Sequence, residues 1–407
     1  MISQDAPVIV VGGGPVGLTT AVALATHDVP VVLLESGDGS VRAEWRGSTL
    51  HPPTLELLDE IGLTPEILSG STRVDRVQHR DLEFDEVVEF DFGLLEGRTP
   101  YPFRTQFEQY KMLRLLGDRA ARADEVDLRF RHTVREMRQD DNGVTVTADT
   151  PDGRVELRAA FLVAADGSHS ALRKHAGIGF PGVTLDTQSI VVASPFPFER
   201  VVKDVAPVSY WSGPSGRLSL IRTPDVWRLA VSAPGEQGGS TTDPHPAVRT
   251  GLGLLTGAAG DVELIQHQTY RSHQRVAETF HLGRLLLVGD AAHLNSTTGG
   301  MGLNSGVHDA FEAADRLVPV IRSGADADEA AATYGAARRA AAMEFVQPLT
   351  HEGAIRLAQR DPAKRRQRLA ELAEIAADED RSRAHVMAAS MLTAPLPERV
   401  RKGLTAR

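Results

Sequence analysis

The stretch VIVVGGGPVGL, residues 8–18, decides how this chain begins to fold. Val8 to Val11 form an unbroken apolar run, as a strand buried on both faces requires. Gly12, Gly14 and Gly17 then fill the glycine positions of GxGxxG. The first permits a tight turn, the second lets backbone approach a pyrophosphate, and the third lets the next helix pack close to the strand. That helix is predicted to open at Pro15, because a first-turn residue needs no N–H. Its unpaired N–H groups and its dipole then face the pyrophosphate. A second strand is predicted over Val31 to Leu34, ending on Glu35, where a carboxylate accepts from ribose hydroxyls and disfavours a 2′-phosphate.

Two later segments carry the same kind of mark. In FLVAADGSHSALR, residues 161–173, an apolar strand over 160–164 delivers Asp166-Gly167 at its C-terminal end, where open α/β sheets place ligands. In RLLLVGDAAHLNSTTGGMGLNSGVHDA, residues 284–310, another strand ends on Gly289-Asp290. A glycine-rich turn over 298–302 follows, and then a helix with Val307, Ala310, Phe311, Ala314, Leu317 and Val318 on one face. TGLGLLTG, residues 250–257, lacks a preceding buried strand and the right last spacing, so its glycines read as helix and turn glycines.

The 407 residues exceed what a single core supports, so two domains with appendages are expected. A net charge of -10 offers no broad basic surface, which argues against nucleic acid and anionic membrane as partners. No apolar run approaches the roughly 18 residues of a spanning helix. MISQDAP leads into the first strand without the regions of a signal peptide, so cytoplasm is the expected location. With no cysteine, the chain has no disulfide, thiolate metal site or redox dithiol, and redox chemistry has to come from a bound cofactor.

Between the marked segments the periodicity alternates. A helix is predicted from Pro52-Pro53 to the stop at Gly62, and another over 107–123 through Phe107, Tyr110, Leu113, Leu116 and Ala120. Residues 73–92 alternate as half-exposed antiparallel strands. Short strands are expected over 126–131, 144–148 and 155–157, joined by polar turns. Residues 181–269 mix strand-like runs at 189–193, 218–221 and 227–231 with the turn-rich loop APGEQGGSTTDPHP. Beyond residue 325 the chain is alanine- and arginine-rich and helical, without visible chemistry, as in a solvated cap or a dimer contact.

Together the three motifs resemble class A flavoprotein monooxygenases of the para-hydroxybenzoate hydroxylase type, from about residue 6 to about 345. The resemblance implies an α/β fold: a Rossmann-like (GR2-type) FAD-binding domain over 1–72, 101–180 and 270–325. A mainly antiparallel β substrate domain is inserted at 73–100 and 181–269, and a helical region fills 326–407. It implies FAD as cofactor, NADH or NADPH as reductant and O2 as co-substrate. Gly12, Gly14, Pro15, Val16, Gly17, Glu35 and Ser36 would hold the ADP half. Arg46 and Gln106 would contact the diphosphate and ribityl regions, Val134 and Asp166-Gly167 would add contacts, and Asp290 would hold ribityl hydroxyls. Gly300, Met301, Gly302, Leu303 and Asn304 would lie under the pyrimidine ring, where backbone donors stabilise a reduced, anionic flavin.

In such enzymes a flavin C4a-hydroperoxide, shielded from water, passes an oxygen to an electron-rich aromatic carbon. No triad or metal site is then required, and none is found; His293 reads as a structural hydrogen-bonder. The chain departs from the family at Asn295-Ser296-Thr297-Thr298, where a proline is common. The expected partner is a small aromatic substrate met by a monomer or homodimer, with Tyr210, Trp211 and Arg222 as candidate pocket residues. The alternatives are a reductase, oxidase or halogenase on the same scaffold, or a flavin binder without turnover. WSGP at 211–214 is not the halogenase WxWxIP signature, and the intact Asp166-Gly167 segment argues against a passive binder.

Overall fold

Four of the apolar runs read from the sequence lie side by side in one sheet. The computed structural model describes residues 6–44, 47–214, 216–234, 246–257, 262–397 and 400. Its first sheet has the order His281–Leu282, Leu285–Leu287, Phe161–Ala164, Val8–Val11, Val31–Leu34, Val126–Arg129. All neighbours are parallel except the first pair, which is antiparallel. Helices cover both faces of a parallel sheet, so its central strands are apolar throughout: Val8, Ile9 and Val10 are 0% exposed. The helix Pro15–Ala25 starts at the predicted proline and packs on the long helix Met301–Ser323. A Cβ at Gly17 would lie 1.9 Å from the Gly12 carbonyl oxygen, so that position accepts no side chain.

A three-stranded antiparallel sheet, Gly153–Ala159, Gly143–Thr150 and Thr133–Asp140, flanks this body. The last strand was not expected. TVREMRQD carries charges on its outward side and gives no apolar alternation, and pairing with the buried Val144–Ala148 run is what fixes it.

The second body is an eight-stranded sheet, ordered His293–Leu294, Gln266–Val276, Gly182–Ser194, Trp227–Pro234, Gly216–Arg222, Val208–Gly213, Arg76–Asp81, Val87–Asp91. It is antiparallel except where Arg76–Asp81 runs parallel to Val208–Gly213. The strand Gln266–Val276 pairs along Gly182–Ser194 and runs without a break across residue 269. Thr72–Val74 pairs with Arg104–Gln106 in a small sheet with Thr49–Leu50, not with the eight strands. Most of the expected loop APGEQGGSTTDPHP, residues 235–245, lies outside the described residues. The helix Pro246–Thr256 contains Gly251 and Gly253, and Gly257 is a turn residue with φ +73.

The tail is more than a solvated appendage. Helices Ala327–Ala340, Gln347–Leu357, Pro362–Ala377 and Glu379–Ala389 follow the long helix. Leu369, Leu372 and Val386 share a core with Val77, Val88, Phe90, Phe92 and Val208, so the last two helices cover one face of the eight-stranded sheet. The stripe Leu369, Leu372, Ile375 has the helical spacing that buries one side, with Arg365 buried as well and Arg366 left outside.

Candidate active site

The parallel strands bring the three glycine-marked turns to one edge, their C-terminal ends. At the first turn the Glu35 carboxylate accepts from the N–H of Gly13 and of Gly37, both at 2.6 Å. Ser36 is exposed beside it and donates to Glu35 at 3.2 Å. A crevice of about 560 Å³ opens here, lined by Gly13, Gly14, Glu35, Gly39, Arg42 and Tyr110 among others. Gly14 is the N-cap of the helix, and nothing lies within 4 Å of the position its Cβ would take.

At the second turn, Asp166 accepts from the Leu172 N–H at 3.1 Å, while its other carboxylate oxygen is buried without a partner. Asp290 is exposed at the third. Behind it, Asp309 is fully buried and gathers the Gly289 N–H at 3.0 Å, His293 Nε2 at 2.9 Å and Arg338 Nε at 2.7 Å. Burial alone would raise the Asp309 carboxyl, but Arg338 and His293 outweigh it and hold the group below the usual carboxylate range.

The turn before the long helix is held from several sides. Gly299 and Gly300 take φ +75 and +70, and a Cβ on Gly300 would meet the Thr49 Cβ at 2.7 Å. Asn304, 0% exposed, donates to the carbonyls of Thr49 and Gly300 at 2.9 and 2.7 Å and accepts the His51 N–H at 2.9 Å. His51 Nε2 donates to the Gly299 carbonyl at 2.9 Å; burial, with Arg104 nearby, keeps its ring neutral. Arg217 reaches in from the eight-stranded sheet to Thr298 Oγ1 at 2.7 Å and Thr297 Oγ1 at 3.3 Å. Met301 is buried and Leu303 half-buried.

Beyond this turn lies a second cavity of about 380 Å³. Val77, Phe90 and Tyr210 from the eight-stranded sheet, Phe92 just after its edge strand, and Leu372, Ile375 and Val386 from the tail give it apolar walls. Thr298, Gly299 and Met301 form its side toward the glycine turn. Its polar groups include His79, Arg104, Arg368 and His385. Burial, then the nearby cations, lowers His79 to about 3 and His385 to about 4, so both rings are neutral at physiological pH.

Not every expected residue reaches these spaces. Tyr210 lines the cavity, whereas Trp211, its neighbour along the strand, points to the other face and joins the core of Phe198, Leu218 and Trp227. Arg222 stacks 5.8 Å from the Trp227 ring centroid and is not among the lining residues. Alternation along a strand lets only one of two neighbours face the cavity. Gln106 is 1% exposed and turned to Ser48 and Thr49, at 2.7 and 3.2 Å. Val134 sits in the core opposite Ala148, and Arg46 lies outside the described residues. Sequence reasoning missed His79, Arg104, Arg368 and His385. The available sign was a set of charged or imidazole side chains on otherwise apolar strand and helix faces.

A family model described as FAD binding domain matches residues 5–348. The chain belongs to this FAD-binding family. Para-nitrophenol 4-monooxygenase of Pseudomonas sp. strain WBC-3 is 32% identical over 377 residues, covering 88% of this chain and 89% of that one. A 3-(3-hydroxy-phenyl)propionate/3-hydroxycinnamic acid hydroxylase of Mycolicibacterium gilvum strain PYR-GCK is 29% identical over 359 residues, 86% of this chain but 60% of that longer one. The crystal structure of p-nitrophenol 4-monooxygenase PnpA from Pseudomonas putida DLL-E4 superposes with a TM-score of 0.88 at 28% identity, covering 97% of this chain and 99% of that one. The flavoprotein is thus a class A FAD-dependent aromatic monooxygenase that uses a nicotinamide reductant and O2, and the reductase, oxidase, halogenase and passive-binder readings give way to it. FAD fits the chain on its own terms: an open crevice at a bare helix N-terminus, an unpartnered Asp166 oxygen and a glycine turn all meet at one sheet edge. Among the described residues no helix is long and apolar enough to cross a membrane, and no cluster of His, Cys, Asp and Glu could hold a metal ion.

Proposed function

We propose that this flavoprotein hydroxylates a small phenol, of one ring or two, in the cavity between the glycine turn and the eight-stranded sheet. The observation that carries the reading is that cavity: about 380 Å³, apolar-walled, bounded on one side by Thr298, Gly299 and Met301 and roofed by the tail helices. Likeness along nearly the whole chain to p-nitrophenol monooxygenases supports a small ring.

In this reading Gly12, Gly14 and Gly17 let backbone N–H groups and the helix at Pro15 face the FAD diphosphate, and Glu35 with Ser36 takes the ribose. Asp166, Gly167 and Asp290 hold the middle of the cofactor, with Arg46 and Gln106 at its flank. FAD, when bound, supplies hydride acceptance from NAD(P)H and activation of O2. Gly300 to Asn304 present the donor end of a helix, which favours negative charge beside it. His51, as a neutral donor, holds the Gly299 carbonyl in place, and the apolar walls of Phe90, Phe92, Leu372 and Val386 keep water from the reacting ring. Dependence on NAD(P)H points to a cytoplasmic enzyme.

The test is oxidation of NADH and NADPH by the purified yellow protein over a panel of phenols, with hydroxylated product scored against peroxide. One-ring phenols should accelerate reductant oxidation and give product in near-stoichiometric yield. Peroxide-only turnover, unmoved by any phenol, overturns the reading.

A further inference from the structure

Two of the buried guanidinium groups in this molecule are neutralised by carboxylates of the fold itself. Arg338 has Asp309 at 2.7 Å, and Arg365 has Asp81 at 2.9 Å and Glu83 as well. Arg217 and Arg228 are taken up by the hydroxyls of Thr297, Thr298 and Ser48 near the glycine turn. Arg104 lines the second cavity and, among the described residues, meets no carboxylate. It is 3% exposed, donates to the Ala389 carbonyl, lies 4.8 Å from the Phe92 ring centroid beside Tyr210, and has a buried Nε with no partner.

Arg368 reaches the same cavity from the helix Pro362–Ala377, and its Nη1 is likewise buried without a partner. Its charged neighbours are Arg356 and Glu371, both exposed and both, with Glu352 and Lys364, at the cavity's exposed rim, where Arg356 is engaged with Glu352 at 2.9 Å. Both arginines act on the same two imidazoles, His79 and His385. Those rings pack with Tyr210 at 5.4 Å and Phe90 at 4.2 Å between centroids, and being neutral they bring no counter-charge. A buried cation without an anion is costly, and an incoming anion would remove that cost.

We propose that Arg104 and Arg368 form an anion-binding end of the cavity, so that the aromatic substrate is taken with a negatively charged oxygen substituent, a phenolate or a carboxylate, between them. This rests on the hydroxylase reading above and narrows its substrate class. Arg368 and His385 lie beyond residue 348, where the family match ends, on the two tail helices that cover the eight-stranded sheet.

The experiment measures ligand affinity from the perturbation of the visible FAD spectrum of the holoenzyme, at a mildly alkaline pH where 4-nitrophenol is ionised. One arm compares 4-hydroxybenzoate with 4-hydroxybenzamide, the other 4-nitrophenolate with 4-nitroaniline; the arms separate carboxylate from phenolate. In at least one arm the charged member should bind about 10- to 100-fold more tightly, the range of a charge-assisted hydrogen bond. Arg368→Gln should shrink that preference about tenfold with little change for the neutral member. His385→Asp, which supplies a carboxylate from the protein, should abolish it; retained FAD absorbance shows that each variant is folded.

Equal affinity of charged and neutral members, or a wild-type preference kept by both folded variants, overturns the proposal. If neutral rings are then hydroxylated as well as charged ones, the hydroxylase reading stands without it. If no aromatic perturbs the flavin or is hydroxylated, that reading falls and takes the proposal with it.

Discussion

Asp309 is 0% exposed on the long helix, on the side away from Val307, Ala310, Phe311 and Ala314, and a carboxylate there can persist only if its lone pairs are answered. Gly289, His293 and Arg338 answer them, which ties the Gly289-Asp290 turn to the long helix and to the first tail helix. Asp309→Asn keeps the shape but leaves the Arg338 charge buried, so it should cost about 3–5 kcal/mol in urea unfolding. Adding Arg338→Met should recover part of that loss, because replacing both ions is far cheaper than stranding one. A single variant within about 1 kcal/mol of the parent would show that the pair contributes little. At this scale the sequence was legible where one residue carries its own signal. His293 was readable as a structural partner because it follows the Gly289-Asp290 turn, whereas Asp309 and Arg338 are 29 residues apart and only the packing of two helices joins them.

The turn from Asn295 to Gly300 shows how an element can be stiffened by a different device. Where the family resemblance implies a proline, this chain carries hydroxyls. Ser296 donates to the Thr350 carbonyl at 2.9 Å, Arg217 donates to Thr297 and Thr298, and Gln347 donates to the Leu294 carbonyl at 2.7 Å. Hydrogen bonds from a charged donor are worth about 1.5–3 kcal/mol each, enough to hold a loop in one conformation. Arg217→Met should therefore leave FAD content intact, since the sheet still buries the side chain, but loosen the turn beside the reacting ring. The expected result is about a twofold or larger rise in peroxide released per reductant oxidised, with hydroxylated product falling in step; unchanged coupling would mean that the turn is held without Arg217. The glycines of this element were plain in the sequence, because only a few residues accept a positive φ. The strands that brace it were harder. QHQTYRSHQRV, residues 266–276, has polar groups on both faces and shows no alternation, and its strand character comes from a long ladder with Gly182–Ser194.

Across the whole molecule, buried imidazoles collect where the two sheets and the tail meet, although the histidines look scattered along the chain. His51 opens a helix under the glycine turn, His308 bonds Thr54 at 3.0 Å from the long helix, and His79 and His385 both line the cavity against the Phe90 ring. This convergence was invisible in the sequence, because it depends on a tail whose role comes only from Leu369, Leu372 and Val386 docking on a distant sheet. Burial is the first cause of lowering in all four, bringing His79 and His308 to about 3, His385 to about 4, and His51 well below its ordinary value. In the unfolded chain each would titrate near 6.5. Between roughly pH 6.5 and the folded values the unfolded state binds more protons, so stability rises with pH; it is fully present above about 6.5 and lost as pH falls toward 4 and then 3. The limiting slope is about 1.4 kcal/mol per pH unit for each group, so several groups acting together should remove several kcal/mol before the carboxylates, with unfolded values near 4, begin to titrate. Urea midpoints at saturating FAD should fall steeply between about pH 7 and pH 5. His308→Asn should flatten that slope by the share of one group. A midpoint that stays level through this range would mean that the imidazoles gain protons without unfolding, and that water reaches the seam between the sheets.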